Sequence, residues 1–148
     1  MKVDYTDAEN KLQEQGFCIL KGHLAVSLID NCRVAFLPVL QNFLENNGHL
    51  PNRGTNRYFL PMPFEPPCFV PEFFFDETIL SLVKSILGDR IVADHWGCDV
   101  PILGSDYQTI HVDYQRPLFY ELPDLQLPAY MLITNFALTD ITQENGPI

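Results

Sequence analysis

The hydrophobic period of this sequence changes at Gly88, and that change constrains the fold more than any other feature. Before Gly88, apolar residues recur at helical spacing over residues 27–46 and 77–87. Beyond it, three segments have the pattern of strands, namely residues 91–100, 107–114 and 129–141. Helices followed by strands predict an α+β fold. A length of 148 residues with 47% hydrophobic content predicts a single domain spanning residues 1–148.

Two short elements precede the long helix. Thr6 and Glu9 have the spacing of a capping box, and Gly16 can end a helix. A first helix is therefore predicted over residues 7–15. Residues 17–21 form an apolar run between two glycines, which predicts a short buried strand.

Prolines and capping residues set the limits of the later elements. Pro38 predicts a kink within the helix over residues 27–46. Residues 49–71 hold six of the twelve prolines, so we expect a long irregular segment that cannot join a central sheet. Asp76 can cap the next helix, and Gly88 can end it.

The charge balance argues against several classes of partner. Nineteen acidic and nine basic residues give a net charge of −10, which repels the phosphates of nucleic acids and of anionic membranes. The N-terminus is polar where a secretory signal would be apolar, and no apolar run approaches the length of a membrane span. We therefore predict a soluble, cytoplasmic protein without nucleic-acid or membrane partners. The four cysteines are irregularly spaced and predict neither a zinc site nor a disulfide framework.

The tripeptide His111-Val112-Asp113 is the strongest candidate for chemistry. In a strand, alternate side chains share a face, so His111 and Asp113 can approach one ion from adjacent directions. Two histidines and one carboxylate on one face are the ligand set of non-haem Fe(II) oxygenases. Four histidines and eleven aspartates produce such a tripeptide by chance about 0.3 times per chain. Without further context, a tripeptide with no function is an equally open alternative.

Three segments supply that context: residues 16–22 (GFCILKG), 107–113 (YQTIHVD) and 135–148 (NFALTDITQENGPI). In this order, and with a helical segment after the first, they resemble the phytanoyl-CoA dioxygenase family of Fe(II)- and 2-oxoglutarate-dependent oxygenases. The resemblance spans nearly all of the chain, with residues 51–71 matching only loosely. It implies N-terminal helices packed on an incomplete double-stranded β-helix, the cupin-like jelly roll.

The resemblance also implies roles for five residues. His111 and Asp113 are similar to the first two iron ligands of the family. Gln108 and Asn135 occupy positions that face the iron or the 2-oxoglutarate, although each could equally be an ordinary hydrogen-bonded amide. Arg57 stands near a basic residue that reaches the cosubstrate in similar proteins, with a solvated loop arginine as the alternative.

The family's distal histidine, and the arginine that holds the far carboxylate of 2-oxoglutarate, have no match. No histidine follows His111, and Arg116, the only arginine beyond Asp113, is too close to the first ligands. The chain is therefore expected to be the N-terminal part of such an enzyme, truncated at its C-terminus. His95 is expected to be a hydrogen-bonded sheet residue rather than a third ligand, and His23 is expected to be superficial.

The implied activity is hydroxylation of a small molecule by a dioxygenase that uses Fe(II) as cofactor and 2-oxoglutarate as cosubstrate. The carboxylate of Asp113 favours hydroxylation, because related halogenases need a small residue at that position. One alternative is a non-catalytic β-rich binding or structural module without a working metal site. Another is a two-ligand site completed by a second subunit or by water. Uncovered strand edges also predict a homo-oligomer.

Overall fold

The computed structural model describes residues 4–47, 49–111, 119, 127–143 and 145. These residues form four helices and two strands. The helices are α1 (Tyr5–Gln15), α2 (Val26–Asn46), α3 (Pro71–Phe75) and α4 (Glu77–Leu87). The strands are β1 (Arg57–Pro61) and β2 (Gly97–Pro101).

Helix α1 confirms the predicted first helix but begins earlier. The side chain of Asp4 accepts a hydrogen bond from the Asp7 amide at 3.2 Å and so caps the helix in place of Thr6. At the other end, Gly16 takes the left-handed conformation with φ of 79°, and its amide donates to the Leu12 carbonyl at 3.1 Å. The predicted capping box is therefore wrong, and the predicted C-cap is confirmed.

Helices α2 and α4 confirm the two longer helical predictions. Pro38 lies inside α2, none of whose residues is fully buried. Helix α4 begins where the Asp76 carboxylate accepts from the Ile79 amide at 2.9 Å. It ends at Gly88, whose amide donates to the Lys84 carbonyl at 2.8 Å. Local cap chemistry thus sets both ends of α4, as the sequence predicted.

The strand predicted over residues 17–21 is wrong. This segment is irregular, and the side chains of Phe17 and Ile19 are more than half exposed. A short apolar run becomes a strand only when a neighbouring strand bonds to its backbone, and no described segment does so here.

The two strands form an antiparallel ribbon in which Arg57 lies opposite Pro101 and Pro61 lies opposite Gly97. Strand β1 lies within residues 49–71, so the expectation of a wholly irregular segment there is wrong. Of the strand predicted over residues 91–100, only the last part is confirmed, as β2.

Alternation of backbone hydrogen bonds explains how this ribbon accommodates its prolines. In an antiparallel pair, residues bonded across the pair alternate with residues whose backbone groups point outward. The Ile102 amide donates to the Asn56 carbonyl at 3.0 Å, which makes the even-numbered positions of β1 the bonded ones. Pro61 and Pro101 therefore take outward positions, where the ladder needs no amide hydrogen.

The outer edge of β1 is closed by the side chain of Asn52. Its Nδ2 donates to the Phe59 carbonyl at 2.9 Å, and its Oδ1 accepts from the Phe59 amide at 2.7 Å. These two hydrogen bonds reproduce those that a neighbouring strand would make.

The core lies on the inner face of β1, where Tyr58 and Leu60 are 3% and 1% exposed. The other buried apolar residues are Ala8, Cys68, Phe73, Ile79 and Leu82. The Phe73 ring of α3 stacks on Phe136 with centroids 4.1 Å apart and planes 7° apart. This contact fixes the segment around Asn135 against α3.

Two of the predicted strands are not strands in the part of the chain that the structure describes. Residues 107–111 and 129–141 are irregular there, and Asp113 lies outside the described residues. The described sheet consists of β1 and β2, so the jelly-roll core remains a prediction. Within the described ranges, no helix combines the length and the apolar character that crossing a membrane requires.

Candidate functional site

A turn after β2 brings residues 106–111 back beside the start of β1. Asn56 holds this turn, with its side-chain Nδ2 donating to the carbonyls of Leu103 at 3.3 Å and Gly104 at 3.2 Å. Asn56 itself has φ of 49°, a left-handed conformation that asparagine tolerates better than most residues. The turn therefore joins the predicted iron-ligand segment to the ribbon.

An open cleft of about 460 Å³ lies between these two stretches of chain. Its described lining residues are Arg53, Gly54, Thr55, Arg57, Asp106, Tyr107, Gln108, Thr109 and His111. Three of the five residues that the sequence nominated, Arg57, Gln108 and His111, thus line one cavity.

Arg57 is the polar centre of this cleft. Its Nη1 donates to Asp99 Oδ2 at 2.9 Å and to Gln108 Oε1 at 3.0 Å. The side chain is 16% exposed, and its Nε is buried with no hydrogen-bond partner among the described residues. Arg57 is therefore a strand residue with a largely covered side chain, and the alternative of a solvated loop arginine is wrong.

A second guanidinium, that of Arg53, lies above the Phe59 ring with Cζ 5.1 Å from the ring centroid. Phe59 is on β1, two residues beyond Arg57, so both side chains project from the same face of the ribbon. The attraction between cation and ring directs Arg53 toward the cleft rim. Sequence reasoning missed Arg53, because Arg53 lies in an irregular segment and its position depends on the Phe59 ring of β1, six residues further along the chain.

His111 is oriented by a backbone contact. Its Nδ1 lies 2.7 Å from the Thr109 carbonyl oxygen, which can only accept, so Nδ1 is the donor. In the neutral ring the lone pair is then on Nε2. Histidines that bind metals commonly donate their other ring N–H to a carbonyl in this way, so the His111 imidazole fits an iron ligand.

Of the two remaining nominated residues, the structure describes only Asn135. Asn135 is exposed in the irregular segment beside α3 and is not among the described lining residues. Asp113 lies outside the described residues. The described residues contain no group of three His, Cys, Asp or Glu side chains arranged to hold a metal ion.

Two other histidines differ from expectation. His95 precedes β2, and its side chain is 88% exposed, so the interpretation as a hydrogen-bonded sheet residue is wrong. His23 is half-buried rather than superficial, and its Nε2 donates to Asp76 Oδ1 at 2.8 Å. Burial acts to raise the pKa of Asp76, but hydrogen bonds from the Ile79 amide and from His23 outweigh it and hold that pKa below its usual range.

The donor set of the cleft fits a ligand that carries a carboxylate. It combines two arginines, one of them with an unpartnered buried Nε, with the amide of Gln108. No family model matches the sequence, and no solved structure matches this fold.

Proposed function

We propose that this chain belongs to an Fe(II)- and 2-oxoglutarate-dependent oxygenase that hydroxylates a small molecule, and that it contributes part of the iron and cosubstrate site but lacks the distal histidine and the 2-oxoglutarate-binding arginine. The observation that carries the proposal is that His111, Gln108 and Arg57 line one cleft. The sequence analysis proposed each of these residues for the site without knowing that Arg57 would hydrogen-bond Gln108. His111 and Asp113 would hold the metal. When bound, iron would supply the activation of oxygen that hydroxylation requires.

The described residues would bind and orient the ligands. The Thr109 carbonyl fixes the His111 ring with its lone pair on Nε2. Arg57 holds Gln108 against the ribbon and is itself held by Asp99. A dicarboxylate in the cleft would meet these fixed donors, which reduces the side-chain ordering needed on binding. Asn135 stays a weaker candidate, since it lies beside α3.

Anaerobic titration of Mn(II), as a surrogate for Fe(II), in the presence of 2-oxoglutarate tests the proposal. Wild-type protein should bind the metal, and His111→Ala should bind it at least tenfold more weakly, because a ligand is lost. Asp113→Ala should behave in the same way. His95→Ala is the matched control, since His95 is exposed and lies outside the cleft. Equal affinity in wild type and His111→Ala would refute the assignment.

One observation favours the alternative of a non-catalytic module: no histidine follows His111 in the sequence to supply the third ligand. Under this alternative, the protein is folded but does not bind Mn(II), with or without 2-oxoglutarate. The same titration therefore separates the two functions. Mixing wild-type protein with the His111→Ala variant tests whether a second copy of the chain completes the metal site.

The exposed surface supports the association of copies. Val26, Val34 and Leu37 of α2 are each more than half exposed. Because Asn52 closes one ribbon edge, we propose a homo-oligomer that uses α2 rather than this edge. A stable monomer at micromolar concentration in light scattering would contradict it.

A further inference from the structure

The two arginines of the cleft differ in how their charge is balanced. Arg57 forms an ion pair with Asp99 and hydrogen-bonds Gln108, so Nη1 is committed to the protein. Arg53 contacts the Phe59 ring, and no acidic side chain among the described residues forms an ion pair with it. Arg53 is therefore the cation of the cleft whose charge has no described carboxylate partner.

This imbalance is notable in a chain with a net charge of −10. Acidic residues outnumber basic ones about two to one, yet the cleft carries two arginines against one described acidic lining residue, Asp106. Asp106 lies beyond ion-pair distance from both guanidinium groups. With Asp99 counted against Arg57 and Asp106 against Arg53, the described part of the cleft has no net charge, so it repels anions less than the rest of this negatively charged chain does.

Contact with Phe59 leaves the edge of the Arg53 guanidinium suited to binding. The Phe59 ring offers no oxygen acceptor, so this contact leaves the planar fork of Arg53 N–H groups without a described oxygen partner. Those groups match two oxygens of a carboxylate or phosphate. The hydroxyl-bearing residues Thr55 and Thr109 line the same cleft and offer further donors.

We propose that Arg53 binds the anionic group, a carboxylate or a phosphate, of a small molecule that enters the cleft. Arg57 is a positioning residue that acts through Gln108. In identifying the class of ligand, this inference rests on the proposed function, but anion binding by Arg53 does not require a metal. The anion belongs either to the 2-oxoglutarate cosubstrate or to the substrate that is hydroxylated.

The test is an NMR titration of the ¹⁵N-labelled full chain with inorganic phosphate, and separately with succinate, in the presence of a chelator. The arginine Nε–Hε signals report on each guanidinium directly. We expect saturable shifts at Arg53, and about tenfold or greater weakening in Arg53→Gln, because a charge-assisted hydrogen bond is lost. Arg33→Gln is the matched control, since Arg33 is exposed and pairs with Asp30 on α2.

A second variant, Arg53→Lys, covers the case in which Arg53→Gln fails to fold. It keeps a cation over Phe59 but loses the planar fork, so it should bind both probes with intermediate affinity. Unchanged affinity in both variants would overturn the inference. So would shifts that do not saturate and are as large at Arg33 as at Arg53.

Further titrations distinguish whether the anion belongs to the cosubstrate or to the substrate. They also test the oxygenase proposal and the anion-site proposal separately. With Mn(II) present, weaker 2-oxoglutarate binding in Arg53→Gln assigns Arg53 to the cosubstrate, and unchanged binding assigns it to the substrate. His111→Ala should lose Mn(II) but keep metal-free phosphate binding. Phosphate binding that depends on Arg53, without any Mn(II) binding, would refute the oxygenase and uphold the anion site. The reverse pattern would uphold the oxygenase and refute the anion site.

Discussion

Replacing Asp76 with alanine should lower the free energy of unfolding by about 2 kcal/mol, because one carboxylate makes two separate contacts. Oδ1 accepts from the Ile79 amide at 2.9 Å and caps α4, a contribution of about 1 kcal/mol. The same oxygen accepts from His23 at 2.8 Å, across 53 residues of sequence. The two side chains are 24% and 16% exposed, so this bond should contribute about 1 kcal/mol more.

Urea unfolding followed by circular dichroism measures the effect. Asp76→Asn keeps a capping oxygen but removes the charge, so it should lose only about half as much stability. Asp4→Ala is the matched control, since Asp4 caps α1 through one exposed contact alone. If Asp76→Ala costs no more than Asp4→Ala, the contact with His23 contributes nothing and the reasoning is wrong.

Lowering the pH should weaken the same contacts of Asp76, because its carboxylate becomes protonated. The pKa of Asp76 is held below its usual value in the folded protein, so the folded state binds the proton less readily than the unfolded chain. Its contribution is complete above the unfolded pKa and is lost as pH falls through the lower, folded value. Asp76→Asn should therefore lose less stability than wild type as pH falls from about 5 through the acidic range in which aspartate carboxyls titrate. Parallel pH profiles for the two proteins would contradict this assignment.

Two further predictions concern β2. Gly97→Ala should destabilise the protein by about 1–3 kcal/mol, measured by urea unfolding, since an added Cβ would lie 2.9 Å from the Leu60 carbonyl oxygen and against the Phe59 ring. Unchanged stability would mean that the ribbon relaxes freely. Burial, together with the Asp99 carboxylate, raises the pKa of the Cys98 thiol to about 11, so iodoacetamide at pH 8 should alkylate Cys98 more slowly than Cys18. Equal rates in peptide mass spectrometry would contradict that assignment.

The helices could be predicted because their ends depend on chemistry within one turn. Gly16, Asp76 and Gly88 each act on backbone groups three or four residues away, and the sequence displays all of those residues together. The first cap was misplaced because Thr6 and Asp4 both have suitable side chains, and only the observed hydrogen bond distinguishes them.

The strands could not be predicted equally well, because a strand depends on a distant partner. Arg57 pairs with Pro101, which lies 44 positions further along the chain. The sequence around either residue does not indicate which residue it pairs with. The prolines misled the prediction, since they exclude a strand only where the ladder needs the amide hydrogen. Conversely, residues 17–21 have strand composition but no described partner.

The sequence analysis proposed three residues of the cleft but could not predict how they are arranged. Gln108 and His111 were proposed because they lie in one segment that resembles the oxygenase family, and Arg57 was proposed because it stands near a basic residue of that family. The contact between Arg57 and Gln108 depends on the turn held by Asn56, a local conformation with positive φ that the sequence does not specify. Arg53 was missed because only the folded ribbon brings it over Phe59.

The side chain of Asn52 also affects how readily copies of this chain aggregate. An open strand edge is a template on which another extended chain can add, and repeated addition leads to amyloid-like fibres. By occupying both backbone groups of Phe59, Asn52 removes the bonding site in the middle of β1. Pro61, beyond it on the same edge, has no amide hydrogen to offer. The β1 edge of a ribbon with five residues in each strand is thereby protected from templated growth by one amide side chain and one ring.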